Sequence, residues 1–417
     1  MNTKSFEKYE SEVRSYCRRF PTVFVSAKGS KYTDEDGREF IDFFNGAGAL
    51  NYGHNNEYIK EKLVSYIQSD GIIHALDMYT VPKREFIDAF EEKILKPRGL
   101  DYKIMFTGPT GTNSVEAALK LARKVKKRAN VFALMGAFHG MTLGALALTT
   151  DTDSRAGAGV PLNNVTHVPA PYMFDNFDTV AYMQRLVDDD HSGIEKPAAL
   201  VIETVQAEGG GYEMGDEWLR AVRAFCDKND ILLIVDDIQV GCGRTGSFFS
   251  FESAGIVPDM VCLSKSIGGY GMPMALTLFK PELDIWSPGE HNGTFRGNQL
   301  SFVAAKAGVE YMVDNKVDEQ ARRKGEVIKS FVEKEILPLD SRLAFRGKGM
   351  ICGIDFSAFP DDTLCTRVIA SCFKGGVVIE AAGRKNAVLK IMAALTIEED
   401  VLLEGLDILK KAIKENL

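Results

Sequence analysis

Several things are scarce in this sequence, and each scarcity removes a class of explanation. Seven cysteines (Cys17, Cys226, Cys242, Cys262, Cys352, Cys365 and Cys372) form no CxxC pair and give an odd count, so neither a disulfide framework nor a thiolate zinc site is signalled and no metal is expected. Nowhere do eighteen apolar residues run together, and the N-terminal MNTKSFEKYESEVRSYCRRF has no apolar stretch behind its charges. No membrane span or export signal is therefore expected, and a reduced cytoplasm is. Positive charge is not in excess, since 50 Lys and Arg stand against 58 Asp and Glu. Nucleic acid is accordingly a poor partner. The one basic run, RKVKKR from Arg123 to Arg128, is read as a solvated helix face above apolar Ala122 and Val125. No Pro- or Ser-rich linker divides the chain, so any domains must pack closely.

What is present is the balance of a folded protein, 45% hydrophobic and 26% charged over 417 residues. Short apolar runs alternate with helical patterns between about residues 100 and 280: KIMF, VFALM, ALVIET, ILLIVDD, MVCLS and MALTLF. Continuous apolar runs of this length predict strands buried on both faces. Between the first two, Val115, Ala118, Leu119, Ala122 and Val125 recur at helical spacing. This alternation predicts an α/β fold with a mostly parallel central sheet covered by helices. After residue 300 the pattern changes to a long helical stretch, then strands around ICGIDF, VVIE and AVLKIM, then a final helix. The expected organisation is a large domain over 61–305 and a smaller α/β domain built from both termini, 1–60 and 306–417, the first of these holding a hairpin in KYTDEDGREFIDFF.

In an open α/β sheet, ligands bind beyond the carboxyl ends of the strands. After KIMF comes TGPTGTNS, where free N–H groups at a helix start suit a phosphate, with Gly111 and Thr112 as candidates. An ordinary helix start capped by Thr112 or Asn113 is the plainer alternative. After VFALM comes GAFHGMT, which sets Phe138, His139 and Gly140 at a second strand end, either as a platform for a planar cofactor or as ordinary core and turn. ILLIVDDIQVGCGRTG ends a buried strand in Asp236 and Asp237. A buried carboxylate is costly unless paired, and a protonated pyridine nitrogen would pair it. Asp236 is expected to take that role, with Asp237 left to cap a turn or face solvent. Gly241, Gly243 and Gly246 in the same segment spell GxGxxG, but no amphipathic helix follows, so a dinucleotide site is not expected. The strand MVCLS ends in Lys265, where desolvation would lower its pKa and make its amine a nucleophile able to form a Schiff base.

Taken together these segments resemble the class III, fold type I aminotransferases over nearly the whole chain. TGPTGTNSVEAALKLARK, FHG, ETVQAEGG, DDIQVGCGRTG, LSKSIGG and HNGTFRGN each match a family motif. The resemblance implies pyridoxal 5'-phosphate as cofactor, Lys265 as its covalent partner and proton-transfer base, and Asp236 at the ring nitrogen. It further implies Gln239 near the ring hydroxyl, Phe138 against the ring with His139 beside it, and phosphate on Gly111 and Thr112. Thr294 would reach the phosphate of a neighbouring subunit, making a homodimer the minimum active unit. The partners implied are small molecules, an amino donor and an aldehyde acceptor. ESEVRSYCRRFP, GAGALNYGHNN, KILKPRGLDYKI, RAGAGVP and GEHNGTFRGN go beyond the general motifs and resemble one branch of the family.

Two departures bear on substrate choice. Met141 follows FHG where many members carry Arg, and Lys390 stands in the C-terminal strand where many also carry Arg. Lysine is a point charge without the bidentate fork. Lys390 is expected to pair with Glu208 and to exchange that partner for a substrate carboxylate. Two alternatives remain open at this stage: another ω-aminotransferase sharing every cofactor residue, and a non-catalytic binding protein of the same fold, against which the joint presence of Lys265, Asp236 and the phosphate turn argues.

Overall fold

The computed structural model describes residues 2–417. Its centre is a seven-stranded sheet, in spatial order Lys103–Phe106, Leu276–Phe279, Met260–Leu263, Leu232–Asp236, Ala199–Ile202, Val131–Leu134 and Val165–Val168. Five neighbours, from Met260–Leu263 to Val165–Val168, run parallel, and Leu276–Phe279 alone runs against both of its neighbours. The strands at the middle of this sheet are buried along their whole length, as continuous apolar runs require. Every run singled out above forms a strand. Val165–Val168 was not among them, because VTHV at the sheet edge buries only Val168 fully and carries too few apolar residues to stand out.

Helix Gly111–Lys126 lays Val115, Ala118, Leu119 and Ala122 on this sheet, and Ser114 Oγ donates to the carbonyl of Leu276 at 2.8 Å. The basic run leaves the helix at Lys127, and Lys126 and Arg128 both pair with Asp230.

The chain termini meet in a second sheet. Phe24–Lys28, Lys31–Asp34 and Glu39–Asp42 form a meander, with the expected hairpin between the last two, and Val377–Val378 adds in parallel to its edge with Val377 opposite Ile41. A third sheet orders Ala344–Lys348, Ile351–Asp355, Val388–Ile391 and Glu380–Ala382. The long helical stretch after residue 300 is two helices, Gln299–Asp314 and Val317–Phe331. Arg244, wholly buried, ties these parts together by donating to the carbonyls of Met350 and Ala393 and to the side chain of Asn51. Among the described residues no helix is long and apolar enough to cross a membrane.

Candidate active site

The carboxyl ends of the central strands open onto a cavity of about 170 Å³ whose wall includes Gly111, Thr112, Phe138, Asp236, Gln239 and Lys265. Residues far apart in sequence and named on separate grounds are thus brought together. His139, Glu203 and Glu208 complete the wall. A larger cleft of about 270 Å³ lies elsewhere, beside Lys83, Trp286 and Arg296, and contains none of these groups.

Asp236 ends its strand 5% exposed. Its Oδ2 lies 2.7 Å from His139 Nδ1, and its Oδ1 accepts the N–H of Ile238 at 3.1 Å. Burial works against a charged His139, but the hydrogen bond and charge of Asp236, helped by Glu203, outweigh it and raise the imidazole pKa. His139 therefore orients the acid by donating to it. A carboxylate has about four lone-pair positions, so Asp236 retains acceptor capacity toward the cavity. Nε2 of His139 is buried with no partner.

Asp237 corrects an expectation. It neither faces solvent nor merely caps a turn, being 1% exposed and bonded through its carboxylate to Ser250 Oγ and, at 3.1 Å, to the Ser250 N–H. Burial pushes its carboxyl up to about 7. Backbone direction explains the division of labour: side chains of consecutive residues at a strand end point to opposite faces, so only one of the two can reach the cavity.

Lys265 follows extended Ser264 and takes φ +53°, a left-handed conformation that costs a residue with a Cβ roughly 1–2 kcal/mol. Such strain is concentrated at functional sites. The segment is held by Ser266, whose Oγ donates to the Gly48 carbonyl at 2.6 Å. Burial lowers the pKa of Lys265, with Glu208 opposing the shift and Lys390 adding to it. Among the described residues its Nζ has no hydrogen-bond partner.

The phosphate turn differs in one detail from expectation. The helix begins at Gly111 with Thr110 as its N-cap, not Thr112 or Asn113, because Thr110 is the residue with extended backbone before the first helical turn. Thr110 Oγ1 is 2.7 Å from Asn113 Oδ1. The N–H groups of Gly111 and Thr112 consequently lie in the first turn, without backbone acceptors among the described residues. A Cβ on Gly111 would stand 3.0 Å from Ile238 Cδ1, so the turn closes tightly over the segment that follows Asp236.

Gln239 has both roles of its amide fixed. Nε2 donates to the Ala47 carbonyl and to Glu208 Oε1, each at 3.0 Å. Its Oε1 is left buried without a donor. That orphaned acceptor, the free N–H pair, the unengaged lysine and the oriented acid form a donor and acceptor set that fits pyridoxal 5'-phosphate: phosphate, ring hydroxyl, aldehyde and ring nitrogen each have a complementary group.

Behind Glu208, which lines the cavity, Lys390 Nζ lies 2.5 Å from Glu208 Oε1 and 2.8 Å from Glu380 Oε1. Burial disfavours both ions, yet Lys390, followed by Lys265, holds the Glu208 carboxyl down at about 2. Burial likewise works against the Lys390 ammonium, and the two carboxylates outweigh it and raise its pKa. Glu380 was missed from sequence. VVIE ends in this acid, but Glu380 opens the strand Glu380–Ala382 where Asp236 closes its own, so the run does not mark it as a site residue. Glu203 was also passed over; it accepts the Phe138 N–H at 3.0 Å, and burial raises its carboxyl to about 7.

Three positions are not part of the cavity lining, Lys390 behind Glu208 and two at the surface. Met141 is exposed. Thr294 is exposed as well and does not line the cavity of its own chain; its carbonyl lies 2.6 Å from His74 Nε2.

The class-III aminotransferase family profile matches residues 14–413. A diaminobutyrate–2-oxoglutarate transaminase from Streptomyces coelicolor is 52% identical over 98% of this chain and 97% of its own. One of the same description from Halalkalibacterium halodurans is 51% identical over 98% and 96%. Among solved structures, an S-selective transaminase from an Arthrobacter species superposes with TM-score 0.89 at 22% identity, covering 99% of this chain and 97% of that one. An ornithine aminotransferase from Toxoplasma gondii gives TM-score 0.86 at 22% identity, covering 99% and 94%.

Proposed function

The chain belongs to the class III aminotransferases, and from that premise we propose that it transfers the amino group of L-glutamate to L-aspartate 4-semialdehyde, giving L-2,4-diaminobutyrate and 2-oxoglutarate. The observation that carries the reading is the meeting of Lys265, strained and with lowered basicity, and Asp236, buried and oriented, in one cavity of a chain half identical to relatives named for that reaction. The branch-specific segments noted above point the same way and support a role in ectoine biosynthesis. With seven free cysteines the cytoplasm is the proposed location.

Pyridoxal 5'-phosphate, when bound, supplies a reactive carbonyl and an electron-withdrawing ring. The chain's own groups do the rest. Asp236 would face a positive charge at the ring-nitrogen position, and His139 keeps that carboxylate aimed. Gln239 offers Oε1 to a hydroxyl, Phe138 supplies an apolar face, and the N–H groups of Gly111 and Thr112 receive phosphate. Lys265 Nζ, less basic than a surface lysine, takes a proton from the substrate carbon and returns it. Lys390 meets the carboxylate of the dicarboxylate substrate once Glu208 turns aside.

The cofactor site is completed by a second copy of the chain through Thr294. In the segments that carry His74 and Thr294, the apolar side chains of Ile72, Ile73, Met78, Tyr79 and Phe295 are exposed, as side chains awaiting a partner would be. Sedimentation should give a dimer.

The test is a coupled assay over a panel of aldehydes and amino acids, with the visible absorbance of the cofactor followed on adding glutamate. Aspartate semialdehyde with glutamate should be the best pair, and Lys265→Ala should abolish both turnover and the spectral change. A colourless protein, or one indifferent to loss of Lys265, removes the proposal.

A further inference from the structure

A lysine with a single carboxylate can follow it when it moves; Lys390 has two. It lies on Val388–Ile391 directly opposite Glu380 of Glu380–Ala382, with its Nζ between Glu380 and Glu208. The two acids are not equivalent. The side chains of Lys390 and Glu380 are 2% and 5% exposed, whereas that of Glu208 is 32% exposed at the cavity. Glu380 is fixed by paired strands and by the packing around them. Glu208 sits on the turn between Val205–Gln206 and Tyr212–Glu213, with its backbone carbonyl accepting the Gly383 N–H at 2.8 Å, so rotation of its side chain is the freedom it has.

We propose that Glu380 is a positioning residue: it holds Lys390 Nζ just behind the cavity as a permanent counter-ion, so that an incoming dicarboxylate exchanges with Glu208 while the lysine stays in place. The proposal rests on the transaminase reading above and identifies the substrate class that the second carboxylate serves. Before the exchange Lys390 faces Glu208 and Glu380; after it, the substrate carboxylate and Glu380. The ammonium therefore keeps one carboxylate even when Glu208 has turned aside and the substrate has not yet arrived, so the exchange never passes through an uncompensated buried cation. An amino acid with no second carboxylate has nothing to exchange and leaves Glu208 paired. The glutamate and 2-oxoglutarate half of the reaction thus depends on Glu380, and the half in which Glu208 stays paired does not.

The experiment measures binding of glutarate, an unreactive dicarboxylate, to the holoenzyme by calorimetry, alongside KM and kcat for 2-oxoglutarate. Glu380→Gln keeps the volume and removes the charge; Lys390 is then able to follow Glu208 out of place, and glutarate should bind at least about tenfold more weakly for want of its contact with the lysine. KM for 2-oxoglutarate should rise by a similar factor with kcat within about threefold, since uniform binding and not the chemical step is lost. Glu380→Asp keeps the charge on a shorter arm and should bind glutarate more tightly than Glu380→Gln; it also serves if the amide variant fails to fold. Glutarate binding by Glu380→Gln within about twofold of the parent, or equal weakness of the two variants, overturns the proposal. A parent protein that transaminates but ignores 2-oxoglutarate overturns it and the substrate reading together, whereas normal transamination with unaltered variants overturns it alone.

Discussion

Replacing Asp236 by Asn separates charge from shape at the centre of the site. The amide is isosteric: its oxygen can still accept from Ile238 N–H, at 3.1 Å, and its NH2, in place of Oδ2, can donate to His139 Nδ1 once that nitrogen carries no proton, so the fold should survive. What disappears is one negative charge at a position 5% exposed. Opposite charges about 4 Å apart at an effective dielectric near 20 interact by about 4 kcal/mol. If that energy stabilises the ring charge on which the chemical step depends, kcat should fall by about three powers of ten. His139 loses the partner that raised its pKa, which further weakens the charge balance at the ring. The assay is a single turnover with glutamate followed in the visible spectrum, with melting temperature as the check on folding. A loss below about tenfold at parental stability would refute the electrostatic role of Asp236.

Three other substitutions follow from neighbouring geometry. Asp237→Asn should leave turnover nearly intact and alter the pH dependence of stability: the buried carboxyl, pushed up to about 7, keeps its proton while the unfolded chain loses one, so the parent loses stability as pH rises from about 4 to about 7. The variant lacks this term, and its melting temperature should gain on the parent's over that range; a constant difference would contradict the assignment. Gly111→Ala places a Cβ 3.0 Å from the flexible end of Ile238, so the helix should form while cofactor affinity falls about tenfold, read by fluorescence titration. Arg244→Lys cannot reach Asn51 and the carbonyls of Met350 and Ala393 together, and should cost about 2–4 kcal/mol in denaturant unfolding.

The parts legible in sequence were those with a local signature. The buried central strands announce themselves because burial on both faces demands continuous apolar runs, and Asp236 and Lys265 stand out because each closes such a run. The edge strand Val165–Val168 lacked that mark, since one fully buried side chain leaves no pattern. The bond between His139 and Asp236 joins residues 97 positions apart, and no local spacing encodes it. Glu380 was obscured for a similar reason: its significance comes from standing opposite Lys390 in a neighbouring strand, a register that only folding establishes. Asp236 could be preferred to Asp237 as nearer the strand, but that Asp237 is buried too, against Ser250 on the other side of the pleat, has no mark in the sequence.

The guanidinium of Arg244 has an implication for how the molecule can move. Its bonds reach Met350 in the loop between two strands of the third sheet, Ala393 just beyond Lys390, and Asn51 near the N-terminal meander, while its own backbone continues from the Asp236 segment. Such a rivet joins the chain just beyond Lys390 to the segment that follows Asp236. Reshaping of the pocket between successive substrates is then left to swivelling side chains at its rim, on a timescale of nanoseconds and not that of hinged lobes.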